Sequence, residues 1–544
     1  MLESDLCLAR MDKMFDSRLM FINIGLCAVL CTLAWVSSLY LTEGVPTYAI
    51  DDAYIHLAHA RNLAETGVWG IRPNEYAFCS SSPLWTCVLA VLFKILGFHE
   101  CIPGVLCFLS CLGGAFVIAF IFQKSKCGAI ASLLLGLSAL IAIPVSTSVV
   151  LGMEHATHVL LVLMLVHLWL TDELSVWKWG LIAFLAVGVR YESLFVIVPL
   201  CMVAFCLRRC RQAFSLAVGA ALPVFIYGVY AVVQGGHFLP NSLVVKAVLP
   251  HAKNFLGTLT DAFLCVNVKN PLVYFSGLMM FFVSLCPSRQ LRLRALAMAF
   301  GVAIFGHLVF ARTGWPYNVN RYEMYLLAGT FVIVGLSMVD ALIGDRLHSS
   351  GKGRLLRLIE FSICLIYLVA SVAKGGLNGV QVLNASRETY EVPMTAARIF
   401  ATLPEESQGA IYLNDLGLIA ERTRVPVIDV CGLGEQDSFE MLMRTSRSLK
   451  DQAAVLKKRQ ARYAAVFNCF HWTIQVLSHE FLLKPVATLC SPARGVWVGC
   501  PISLSAFRAE DEKLLAQHVK HLPFRLPKNV TIIIRSDLKD DCME

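Results

Sequence analysis

"AIDDAYIHLAHARNLAETG" (Ala49–Gly67) follows closely on an apolar run, "MFINIGLCAVLCTLAWVSSLYL" (Met20–Leu41), long enough to cross a bilayer. Two adjacent acids, Asp51 and Asp52, stand where the chain leaves the lipid. Carboxylates at such a boundary have to be solvated, paired or used. The alternation of long apolar run and polar connector recurs through the chain and decides the fold class. The 544 residues are 57% apolar and 15% charged, with a mean hydropathy of +0.66. A soluble domain carries about 25% charged residues, so this is a polytopic membrane protein.

Eleven segments read as spans: 20–41, 103–122, 127–143, 156–170, 177–188, 191–207, 213–233, 271–286, 295–311, 323–343 and 356–374. Basic residues concentrate in short cytoplasmic loops. With the N-terminus inside, the inner segments hold Arg10, Lys13 and Arg18, then Lys124 and Lys126, then Lys178. The later ones hold Arg208, Arg209 and Arg211, then Arg289, Arg292 and Arg294, and finally Arg346, Lys352, Arg354 and Arg357. The alternation requires that "SPLWTCVLAVLFKILG" (Ser82–Gly97) lie along the outer face or dip in and return. The first apolar run reads as a retained anchor, and eleven crossings put the C-terminus outside. The net charge of +8 is accounted for by the inner loops and gives no indication of nucleic acid.

Residues 1–374 therefore form the transmembrane part, with an outer loop at 42–102. Residues 375–544 carry ordinary charge density, and "GAIYLND", "VPVIDV" and "YAAVFNC" alternate with helix-like stretches. That pattern predicts a small α/β domain on the outer face. Of the 20 cysteines about half sit in apolar segments, where Cys behaves as a small hydrophobe. No CxxC pair suggests zinc. In the tail, Cys431, Cys469, Cys490, Cys500 and Cys542 are candidates for a disulfide if that face is oxidising, with the pairing open. Two sequons, at Asn384 and Asn529, are common by chance. There is no internal repeat.

The outer loop, "DDAYIHLAHARNLAETGVWGIRPNEYAFCSSSPLWTCVLAVLFKILG", resembles the first outer loop of GT-C fold glycosyltransferases. It looks most like the branch of the mycobacterial terminal arabinofuranosyltransferase. Further echoes follow in order: "LGMEHA" at Leu151, "VRYES" at Val189, "GHFLPNSLVVKA" at Gly236, "NRYEMYLL" at Asn320 and the tail's "LNDLGLIAERTRVPVIDVCGLGEQD". "VRYES" departs from the usual Arg-Pro-Glu form. The resemblance implies a mostly α GT-C bundle and an inverting transfer from a polyprenyl-phosphate-linked sugar to a hydroxyl of a cell-envelope glycan, lipid or protein. It implies a bacterial plasma membrane, with the site and the C-terminal domain on the outer side.

The residues suit that chemistry. An acceptor hydroxyl needs a base, worth roughly 10²–10⁴ in rate, and a departing phosphate needs cations in a partly dehydrated site. The resemblance assigns catalysis to the Asp51–Asp52 pair, with Asp51 favoured as base and the order open. The alternative is that the two acids cap the helix beginning near Ala53. Tyr54, Glu154, Arg190, Glu192, Asn241, Lys246 and Arg321 are candidates for donor binding. Against this, Arg190 and Glu192 read equally as a helix-locking ion pair, and Lys246 and Arg321 as side chains snorkelling to membrane lipids. His56, His59, His155 and His158 read as helix-face residues. No cofactor or metal is expected, although acids beside histidines leave Mg²⁺ or Mn²⁺ open. A transporter would show mid-membrane charges and internal repeats; an oligosaccharide ligase or polymerase would share the topology and the lipid donor.

Overall fold

The computed structural model describes residues 2–125, 128–246, 271–286, 289–311, 320–343, 351–429, 434, 438–440, 448–493 and 500–535. Each of the eleven apolar segments coincides with a helix, because in lipid every backbone N–H and C=O must find its partner within the chain. Among the described residues six helical stretches are long and apolar enough to cross a membrane: Arg18–Leu41, Ile102–Lys124, Cys210–Val233, Leu291–Phe310, Met324–Leu342 and Arg354–Ala401. The remaining apolar helices are shorter, among them Ala129–Ala142, His155–Leu170, Val176–Val189, Tyr191–Cys206 and Pro271–Leu285. Pro83–Leu96 is a helix of the same short class, packed on Asp51–Thr66 and on Val176–Val189.

Met324–Ile343 is the most enclosed long helix and the Gly351–Glu391 helix is peripheral. The latter continues without a break through residue 374 to the edge of the C-terminal domain. Val176–Val189 and Cys210–Val233 approach so closely that a side chain on Gly219 would meet the Gly180 carbonyl oxygen at 2.2 Å. This is the small-residue contact by which helices associate in lipid, where apolar burial alone gives no drive.

The mostly helical, polytopic architecture with a small C-terminal α/β domain is thus the one observed. That domain holds a six-stranded sheet of β1 (Ile411–Leu413), β2 (Val427–Asp429), β3 (Tyr463–Phe467), β4 (Ala487–Cys490), β5 (Ile502–Ala506) and β6 (Thr531–Ile534), in the order β2-β1-β3-β5-β4-β6. β1 is parallel to both its neighbours, and the other pairings are antiparallel. The first three strands are those expected from "GAIYLND", "VPVIDV" and "YAAVFNC". The turn after β1 leads into a short helix, Gly417–Thr423, that lies on Asp51–Thr66.

An ion-pair seam fixes this contact. Arg422 reaches both oxygens of Glu100 at 2.5 and 2.6 Å, Arg424 reaches Glu65 at 2.8 Å, Arg459 reaches Glu75 at 3.1 Å and Arg61 reaches Glu421 at 3.4 Å. Exposed pairs contribute little singly, but here several lie along one interface, and Glu421 is buried. The closest approach is at Gly417, where an added Cβ would sit 2.3 Å from the Asp51 carbonyl oxygen and 2.8 Å from the Ile55 nitrogen. Only glycine fits between the two backbones. Replacing Gly417 with Ala is therefore expected to cost about 1–3 kcal/mol of stability and to expose the C-terminal domain to protease. Gly376→Ala, where nothing lies within 4 Å, should leave protection unchanged, and equal thermal melts and digestion for the two would contradict the close-approach argument.

Candidate active site

The pair of aspartates begins the Asp51–Thr66 helix itself. Ile50 occupies the N-cap position, and no side chain caps this helix, so the acids do not serve as its cap as the alternative reading required. Successive helical residues are rotated by about 100°, and the two carboxylates consequently face different surroundings.

Asp51 is buried and turned to the C-terminal domain, accepting hydrogen bonds from the backbone N–H of Gly417 at 2.5 Å and of Leu418 at 2.7 Å. It caps another helix, one that starts 366 positions along the chain. The Asp415 side chain, just past the end of β1, lies against it. Burial pushes the Asp51 carboxyl up to about 6 although the two N–H donors favour its ionised form. Burial, and then the charge of Asp51, hold Asp415 well above the ordinary carboxylate range. The pair keeps a proton near neutrality, as two close carboxyls do.

Asp52 faces the bundle and lines a cavity of about 270 Å³. The residues around it come from five of the six segments of the resemblance, the tail segment contributing none: Asp52 and Ser81 from the first loop, Met153 from "LGMEHA", Arg190 and Glu192 from "VRYES", Ser242 from "PNSL" and Tyr322 from "NRYEMY". Leu194, Phe195, Leu243 and Phe310 form the apolar wall. A larger cavity of about 870 Å³ lies between Ala129–Ala142, Met324–Ile343 and Gly351–Glu391. Its lining contains no titratable side chain, so size does not decide which cavity carries chemistry.

Two guanidiniums lie against the Tyr322 ring. Arg321 lies 4.7 Å from the ring centroid and Arg190 5.6 Å, an arrangement that stabilises cations while water is excluded. Arg321 reaches the Asp52 carboxylate at 2.9 Å and donates to the Tyr322 hydroxyl at 2.9 Å. Arg190 is held by two acids, Glu154 and Glu192, the latter with Nε–Oε2 at 3.2 Å. The expected ion pair of Arg190 and Glu192 is present, and Glu154 extends it to a second helix. Glu154 is fully buried behind Arg190 and comes within 3.5 Å of His56. Burial alone would raise its pKa, but Arg190, His56 and His155 outweigh it and hold the group well below the usual range. His56 continues the chain to Thr86 at 3.2 Å, and Thr86 to Ser80 at 2.9 Å.

Other candidates fall elsewhere. Tyr54 is buried in the core, its hydroxyl accepting the Tyr48 N–H at 3.0 Å, and does not line the cavity. Asn241 starts the Asn241–Lys246 helix, its N–H donating to the Phe78 carbonyl at 2.9 Å. It is buried beside the cavity wall that Ser242 and Leu243 complete. Lys246 ends that helix, and its side chain lies outside the described residues. His59 contacts Cys79, and His158 contacts Ser193 and stacks on Tyr325, as helix-face residues do. Among the described residues no group of three His, Cys, Asp or Glu side chains has metal-holding geometry. Tyr322, Ser242, Ser81 and Asp415 are additions of the structure. Only Asp415 had a signal, as the acid at the carboxyl end of a parallel strand, where α/β sites form.

A polytopic helix bundle with a charged cavity, and with a small α/β domain packed on the helix that carries Asp51 and Asp52, is the class of protein that fold and site define. Among solved structures, the chain is similar to ArnT from Cupriavidus metallidurans bound to undecaprenyl phosphate, at 15% identity and a TM-score of 0.49. It is likewise similar to the apo state of that protein, at 13% identity and the same TM-score. Each likeness covers 90% of this chain and 98% of the other. No family model and no curated protein matches the chain.

The Asp51–Asp415 pair has a readable pH signature. Burial holds both carboxyls above their ordinary values, so through the raised range the folded state binds more protons than the unfolded one. The contribution of the pair to stability is then present at low pH and is lost as pH rises through that range. The melting temperature should fall between pH 5 and 7.5, and Asp415→Asn, which removes one of the two titrating carboxyls, should flatten that slope. An identical slope in variant and wild type would show that the two carboxyls share no proton.

Proposed function

We propose that this chain is an integral-membrane glycosyltransferase of the GT-C type. It moves a sugar from a polyprenyl phosphate to the hydroxyl of a glycan, lipid or protein acceptor at the outer membrane surface. The observation that carries this reading is the convergence of Asp52, Arg190 and Glu192 on one cavity, with Arg321 reaching Asp52 at 2.9 Å. The in-register resemblance of the segments supplying them to the arabinofuranosyltransferase branch supports the donor class and favours a furanose. The basic-loop pattern supports the outer placement of residues 375–544.

The geometry favours Asp52, rather than Asp51, as the base. Asp51 is occupied by two backbone N–H groups, whereas Asp52 borders the cavity. In this mechanism the acceptor oxygen attacks the anomeric carbon while the bond from that carbon to the phosphate oxygen breaks. The hydroxyl proton passes to Asp52, and the electron pair leaves with the phosphate. Direct displacement inverts the anomeric configuration. Arg321, paired with Asp52, is the cation that an entering phosphate competes for, and its transfer to the phosphate lets Asp52 take the proton. Arg190, already compensated by two acids, orients rather than neutralises.

Asp52→Asn is expected to lower turnover by on the order of 10²-fold or more with a melting temperature close to wild type. Asp51→Asn should instead destabilise the contact with the C-terminal domain, because an amide nitrogen cannot accept the second N–H. Arg321→Met should raise the donor KM. Wild-type turnover in Asp52→Asn would overturn the assignment of the base.

A further inference from the structure

The C-terminal domain brings two of its cysteines together at one end of the sheet. β3 and β5 pair antiparallel with Tyr463 opposite Ala506 and Phe467 opposite Ile502. One residue beyond the strand ends the same register sets Asn468 opposite Pro501, and Cys469 and Cys500 are the residues next to that pair. The pairing does continue, since the Asn468 N–H donates to the Pro501 carbonyl at 2.9 Å.

Cys469 and Cys500 come just beyond this last paired position, Cys469 within the turn closed by the Phe470 N–H on the Phe467 carbonyl at 3.0 Å. The two thiols are in hydrogen-bond contact with each other. The Cys469 N–H already points at the Cys500 sulfur, at 2.9 Å. Cys469 is exposed and Cys500 half-buried, so an oxidant can reach them.

We propose that Cys469 and Cys500 form a cross-strand disulfide in the mature protein. The proposal rests on the outer placement of the C-terminal domain, where thiols meet an oxidising compartment. The oxidant is an exchangeable disulfide, RSSR. Cys500, whose thiolate is favoured by donation from the Cys469 thiol and N–H, attacks one sulfur of RSSR, breaking that S–S bond and releasing RS⁻. The Cys469 thiolate then attacks the Cys500 sulfur of the mixed disulfide and releases the second RS⁻. The two thiol protons go to the released thiolates, so two cysteines are oxidised and RSSR is reduced to two RSH.

The position gives the bond a task. The segment after β1 is tied to the end of β3 through the Asn414 Oδ1, which accepts the Phe467 N–H at 2.8 Å. Asp415 and Gly417, the partners of Asp51, follow directly. The cross-link holds the end of β3 against β5 and so fixes the platform from which the Asp51 contact is made.

The test uses full-length protein in intact cells, treated with a membrane-impermeant maleimide before or after a reductant, followed by peptide mass spectrometry. Labelling of Cys469 and Cys500 only after reduction, with a linked peptide pair in unreduced samples, is the expected result. In Cys469→Ser, Cys500 should label without reductant. Labelling of both wild-type thiols without reductant overturns the disulfide and leaves the outer placement intact. Labelling only after the cells are permeabilised overturns both together.

Discussion

The contact between the Asp51 carboxylate and the amides of Gly417 and Leu418 is the constraint on which the rest of the site depends. A carboxylate at a helix N-terminus is favourable because the first N–H groups have no partner within their own helix. Here the donor helix and the acceptor lie in different parts of the chain, so a local capping rule becomes a long-range clamp. Glycine at position 417 is what allows the backbones to approach. With Asp51 turned outward to hold the C-terminal domain, helical rotation turns Asp52 inward to the cavity. One acid of the pair holds the C-terminal domain and the other lines the cavity.

The charges of the cavity follow a similar economy. Arg190 is compensated by Glu154 and Glu192, and all three side chains are largely withdrawn from solvent. Removing one member of such a buried set leaves an uncompensated charge, at a cost of about 3–5 kcal/mol, so this cluster is a framework. Arg321 differs, since Asp52 is the carboxylate it reaches, at 2.9 Å.

Much of the fold is legible in the sequence because hydropathy acts directly on helices that cross lipid. The eleven apolar runs are helices, although the 356–374 run understates a helix that continues to Glu391 through polar residues no hydropathy window registers. β1 to β3 stand out as β-branched and aromatic runs. β4 to β6 are short, and their pairing depends on long-range register that sequence does not carry. At the site, the motifs correctly mark the segments that meet, but a motif does not say which way a side chain faces. Tyr54 lies in the quoted first loop yet points into the core, and the helix start at Asp51 rather than Ala53 changes the role of both acids. Asp415 is a single acid in "YLND", and its importance appears only when the chain folds back on Asp51.

The account's central claim is that the cavity beside Asp52 transfers one sugar from a lipid phosphate. Its most direct test is to incubate purified protein with a panel of polyprenyl-phosphate monosaccharides, furanoses and pyranoses, and to follow the free lipid phosphate and the glycosylated acceptor by mass spectrometry. The account predicts that at least one donor is consumed, with one polyprenyl phosphate released for each inverted glycosidic bond formed. Failure to consume any member of the panel, by protein shown to be folded by its melting transition and to bind polyprenyl phosphate, would contradict it.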